Sequence, residues 1–150
     1  MPAFSLTDYI KLRLGATARE QTANFLKLPF GATSFARFWW YWNPVYGYYL
    51  YYYIYKPFAI YLTRPIAVLA TFIFCGVLHD LPFILLSVFA LKRIPSFTIT
   101  TMFLFLGMVV VLTEKLNINF RRVPVTGRWL IHLLNIFLCW EMALYLTTRA

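Results

Sequence analysis

From residue 45 onward the chain is built of long apolar runs separated by short polar connections. Among charged residues and histidines, Pro65 to Leu91 carries only His79 and Asp80, and Phe97 to Leu112 carries none. Trp129 to Leu146 carries only His132 and Glu141. Apolar blocks of about 18 residues or more predict helices that cross a bilayer. Val45 to Leu62 is a fourth, qualified span, because its bulk is tyrosine and because Lys56 and Pro57 interrupt it. Tyr and Trp favour the bilayer interface, where the ring is buried and the polar tip stays wet. This segment therefore either lines a polar cavity or lies partly in the headgroup zone.

Residues 1–30 follow another pattern. Ser5 to Asp8 is a helix start, and Leu6, Tyr9, Ile10, Leu12 and Leu14 are interleaved with Lys11 and Arg13, with Arg19 and Lys27 beyond. A basic segment too polar to insert reads as an amphipathic helix lying on anionic lipid. It lacks the apolar stretch and small-residue cleavage site of a signal peptide. The expected fold is an all-α integral membrane protein of about four transmembrane helices. A basic arm over 1–30 precedes a single transmembrane domain over 31–150, with spans at 45–62, 65–91, 97–112 and 129–146.

Composition agrees: 61% hydrophobic and 13% charged residues exclude an ordinary soluble domain. The net charge of +9 is carried by the arm and by connections such as Lys92-Arg93 and Arg121-Arg122, which is where membrane anchors sit. Membrane lipids, rather than nucleic acid, are the expected partners. If four spans cross, the arm shares a side with residues 92–93 and Arg149, and the small basic excess there makes that side cytoplasmic. A bacterial inner membrane and the endoplasmic reticulum fit equally. Cys75 and Cys139 fall inside spans as small apolar residues, and no metal-ligand spacing exists.

Ionisable residues inside a span are costly, about 2.5–3.5 kcal/mol near the bilayer centre on insertion scales, and they usually face a cavity, a partner or a substrate path. His79 lies almost midway along its span. Cys75 and Gly76, four and three residues earlier, put a small surface on its side, and Pro82 cannot donate to the Leu78 carbonyl. Either a substrate or a neighbouring helix can use that opening. Asp80 points about 100° away and supports a different contact. His132, Asn135 and Cys139 form a polar stripe on the last span, of the kind that binds helices together, with Glu141 opposite.

Read in order, Phe38-Trp39-x-x-Trp42-Asn43, then Tyr55-Lys56-Pro57-Phe58, then Phe74-x-Gly76-x-x-His79-Asp80 resembles the membrane-bound O-acyltransferase family. Its diacylglycerol and sterol acyltransferase branch has a tryptophan-asparagine segment and a YxP step before a span bearing a histidine and an acidic residue. The resemblance covers roughly Phe35 to Phe89, with 36 residues between Asn43 and His79. It implies transfer of an acyl group from a thioester, usually acyl-CoA, to the hydroxyl of a lipid or lipid-linked acceptor, with no bound cofactor. His79 is then the general base and Asn43 the positioning residue. Trp39, Trp42, Tyr46, Tyr55, Gly76 and Asp80 surround the substrate. Family members have more spans than this chain, which implies that other membrane subunits or self-association complete the tunnel. A non-catalytic accessory subunit with lipid in its cleft is the alternative.

Overall fold

The computed structural model describes residues 4–90 and 96–149, and every regular element among them is helical. Lys92 and Arg93 lie outside the described residues. The arm forms two helices rather than one. Helix α1 (Leu6–Leu14) starts where the Ser5 hydroxyl accepts from the Asp8 N–H at 3.1 Å. It stops at Gly15, whose φ of 120° is accessible chiefly to glycine. Helix α2 (Ala18–Phe30) starts with a reciprocal box: Glu20 N–H donates to Thr17 Oγ1 at 3.2 Å and Thr17 N–H donates to Glu20 Oε2 at 3.0 Å. Ser34 then caps a short helix α3 (Phe35–Tyr41).

A further helical run follows, made of α4 (Pro44–Tyr49), a π-helical turn (Leu50–Tyr55) and α5 (Lys56–Tyr61). Pro57 has no N–H for the carbonyl four residues back, and its ring crowds that position. The preceding turn widens to accommodate it, with Lys56 N–H donating to Tyr51 O. Helix α6 (Arg64–Leu85) continues through a second π-helical turn (Leu86–Ala90), and α7 (Thr98–Lys115) and α8 (Val125–Arg149) complete the chain.

Among the described residues, three helices are long and apolar enough to cross a membrane: Arg64–Phe89, Thr98–Lys115 and Val125–Arg149. The expected fourth span at 45–62 is helical but does not qualify, because its eight tyrosines and Lys56 supply bulk without aliphatic character. The arm also packs against the helices that follow it. Lys11, Arg19 and Lys27 are exposed, but Arg13 is buried. Its guanidinium donates to the Trp40 carbonyl and the Tyr9 hydroxyl, and lies 3.2 Å from the Trp40 ring centroid. Burial lowers the Arg13 pKa and raises that of Tyr9. Arg13 thus pins α1 to α3.

Small residues hold α6 against α7. A Cβ on Gly76 would lie 2.6 Å from Thr100 Cα, and one on Gly107 would lie 3.0 Å from Phe72 Cβ, so both glycines permit backbone approach. Phe30, Ala32 and Phe38 form a buried cluster under Trp129 and Ile136 of α8, with Phe30 stacked on Trp129 at 4.8 Å. Beside it His132 shares a 3.0 Å hydrogen bond with the Ala32 carbonyl, Arg128 donates to the Gly31 carbonyl at 3.1 Å, and Phe120 N–H donates to the Thr33 carbonyl at 2.8 Å. His132 is a helix-binding residue.

Candidate functional site

One face of α6 carries Arg64, Val68, Thr71, Phe72, Cys75 and His79, spaced by threes, fours and one adjacent pair as a single helical stripe requires. All six line one cavity of ≈ 640 Å³, open on one side. Fifteen steps of about 1.5 Å from Arg64 to His79 make this stripe about 22 Å long, more than the roughly 15 Å depth of one hydrocarbon leaflet. The volume is in the range of small-molecule sites, about 300–1,000 Å³. The end at Arg64 is charged, with Arg64 Nη2 donating to Glu114 Oε1 at 2.8 Å. The opposite wall comes from α3 and the run after it: Trp39, Trp42, Asn43, Tyr46 and Tyr55 all line the cavity.

Asn43 sits at the sharpest bend in that wall. Its φ of 41° is left-handed, a conformation asparagine tolerates better than most residues, and the pyrrolidine of Pro44 disfavours the right-handed alternative. Its Oδ1 accepts the Tyr46 N–H at 3.3 Å, capping α4, while Pro44 in the first turn needs no acceptor. Since Oδ1 is committed to an N–H donor, the amide orientation is fixed. Nδ2 has no hydrogen-bond partner among the described residues, and Asn43 lines the cavity.

His79 is half-buried. Its ring stacks on Tyr46, with centroids 5.4 Å apart and planes at 24°, and lies 5.2 Å from Phe103. Among the described residues neither ring nitrogen has a hydrogen-bond partner. His79, Trp39, Trp42 and Phe103 also line a second space of ≈ 400 Å³, whose other walls include Phe83, Met102, Leu106 and Trp140. The imidazole thus stands between a polar-ended groove and a largely apolar pocket.

Gly76 and Asp80 face elsewhere. Gly76 is the contact point of α6 with α7, and neither residue lines the cavity. Asp80, 2% exposed, accepts from Ile99 N–H at 3.2 Å and from Thr100 N–H and Oγ1 at 2.7 Å each. It caps α7 from outside, a task that Phe97 at the helix's own N-cap position does not perform. Sequence reasoning missed Phe103, Arg64 and Glu114. The i, i+4, i+7 spacing from Arg64 to Val68 and Thr71 could have carried the His79 stripe back to Arg64. Nothing in the sequence pairs Arg64 with Glu114, which is fifty residues away. No family model matches the chain, and no curated protein and no solved structure matches it.

Proposed function

We propose that the chain transfers an acyl group from a thioester donor such as acyl-CoA to the hydroxyl of a lipid or lipid-linked acceptor, with His79 as general base. The observation that supports this reading best is the presence of His79 and Asn43 on one membrane-protein cavity. An unpartnered imidazole nitrogen takes the acceptor O–H proton as the oxygen attacks the thioester carbonyl. The new C–O bond forms, the C–S bond breaks, and the thiolate leaves with the proton returned from the imidazolium. The Asn43 amide donates to the carbonyl oxygen as it gains negative charge. The aromatic groove and the apolar pocket, which meet at His79, provide separate places for the two substrates.

A second reading, a non-catalytic membrane subunit that holds lipid in the same cavity, is favoured by the cap that Asn43 provides to α4, since that task alone accounts for an amide at this position. Two substitutions separate the readings when turnover of labelled acyl-CoA is measured with membrane lipid extract as acceptor. His79→Ala is expected to abolish transfer while helix content stays unchanged. Asn43→Asp keeps the capping oxygen and removes the donor, and is expected to slow transfer by about 100-fold to 1000-fold. Turnover equal to wild type in His79→Ala would refute the catalytic reading. Lipid retention lost without any turnover to lose would establish the subunit.

A further inference from the structure

We infer that Tyr46 is a positioning residue for His79, acting through its ring face; this rests on the acyl-transfer reading. A general base must keep its reacting nitrogen aimed, and bases usually achieve this by a hydrogen bond from the second ring nitrogen to a carboxylate or carbonyl. His79 has no such partner among the described residues. The carboxylate next to it in sequence, Asp80, is fully engaged with Ile99 and Thr100 of α7. What holds the imidazole instead is aromatic contact, with the near-parallel Tyr46 ring at 5.4 Å and Phe103 at 5.2 Å.

Tyr46 is itself held. It is the third residue of α4, and its N–H is the one that Asn43 caps. The left-handed turn at Asn43 and the fixed φ of Pro44 set where α4 begins, and therefore where the Tyr46 ring lies. Asn43 thus reaches His79 by two routes: both residues line the same cavity, and its Oδ1 fixes the residue on which the imidazole rests. The stack also favours the charged intermediate. Once His79 has taken the proton, an imidazolium lies within about 6 Å of the electron-rich face of a tyrosine, the range in which a cation is attracted to a ring.

The test uses the full chain in lipid nanodiscs and two variants. The protein has only two histidines, so its imidazole carbon-proton resonances are two sets, assigned by loss of one in His79→Ala. Tyr46→Leu is expected to shift the His79 set by removing the ring current and to leave the His132 set in place. In acyl transfer, Tyr46→Leu is expected to lower kcat by about 100-fold, the scale of a small misplacement of a reacting group, with KM little changed. Tyr46→Phe is expected to restore both the resonance position and most of kcat. An unmoved His79 resonance in Tyr46→Leu overturns the inference, as does a Tyr46→Phe variant as slow as Tyr46→Leu, which would assign the role to the hydroxyl. Absence of turnover in the wild type overturns the acyl-transfer reading and the catalytic role of Tyr46 with it, while the resonances still report the ring contact on their own.

Discussion

Asp80 gives the sharpest test of how the spans are held together. Its buried carboxylate accepts three hydrogen bonds at the start of α7, and Phe97 offers no side-chain cap of its own. Asp80→Ala removes both acceptor oxygens, and with them all three hydrogen bonds, and leaves two backbone N–H groups at a helix start without a partner. At a net value of about 1 kcal/mol for each hydrogen bond, the expected loss is about 3 kcal/mol. Asp80→Asn retains one acceptor oxygen, enough for either Ile99 or the Thr100 pair, and is expected to lose about half as much, roughly 1.5 kcal/mol. Reversible unfolding in mixed micelles of increasing SDS content measures both variants. Hydrogen exchange at the Thr100 amide supplies the local readout, with protection falling in Asp80→Ala. A stability within about 0.5 kcal/mol of wild type, the range of an inconsequential surface change, would refute the capping account. Equal losses in the two variants would assign the effect to charge at the α7 N-terminus rather than to the count of hydrogen bonds.

Two other outcomes concern the arm and the orientation of the chain. The Thr17 cap lowers the Glu20 pKa below its ordinary 4.5, so this carboxylate stabilises α2 fully above that pH and stops doing so as pH falls through the lowered value. Acid titration by circular dichroism should therefore show fraying of α2 only below about pH 4.5 in wild type and no corresponding step in Glu20→Gln; a step that persists in the variant contradicts the assignment. With three crossing helices, eleven of the fourteen Lys and Arg lie on segments at the Arg64 end, up to Arg64 and from Lys115 to Arg128, leaving Lys92, Arg93 and Arg149 opposite. The positive-inside rule then predicts that the basic side faces the cytoplasm. An impermeant maleimide applied to the non-cytoplasmic face of sealed membranes should label Thr148→Cys and spare Asn119→Cys, and the reverse pattern would invert the topology.

The spanning helices were legible because their signal is one-dimensional. Unbroken aliphatic runs give 65–91, 97–112 and 129–146, against helices at Arg64–Phe89, Thr98–Lys115 and Val125–Arg149. The segment at 45–62 was harder because tyrosine serves interface, cavity wall and core equally well, and the effect of Pro57 is a widened turn rather than a break. The two-helix arm was readable in principle, since Thr17-x-x-Glu20 after Gly15 is a capping-box pattern. Pairings across the fold were not. Arg13 on the Trp40 carbonyl and Asp80 on Thr100 join residues 27 and 20 apart, and no periodicity encodes which backbone group a buried charge will meet. Six of the eight site residues named from the sequence, His79, Asn43, Trp39, Trp42, Tyr46 and Tyr55, line one cavity. Gly76 and Asp80 shared their motif with His79, but Asp80 as the next residue is turned about 100° onto another face, and Gly76, three residues earlier, is taken up by the close approach to Thr100 of α7.

The seam between the start and the end of the chain has a consequence for biosynthesis. Ala32 meets His132 and Gly31 meets Arg128, contacts separated by 100 and 97 residues. At synthesis rates of about 5–20 residues per second, roughly 5–20 s pass between the appearance of the α2–α3 corner and that of its partners. During that interval Phe30, Ala32 and Phe38 have no Trp129 or Ile136 above them, and α6 and α7 can already have paired. The face of the α2–α3 corner formed by Phe30, Ala32 and Phe38 is therefore covered only once α8 has been made, and a nascent chain stalled before α8 would present that face uncovered to the insertion machinery.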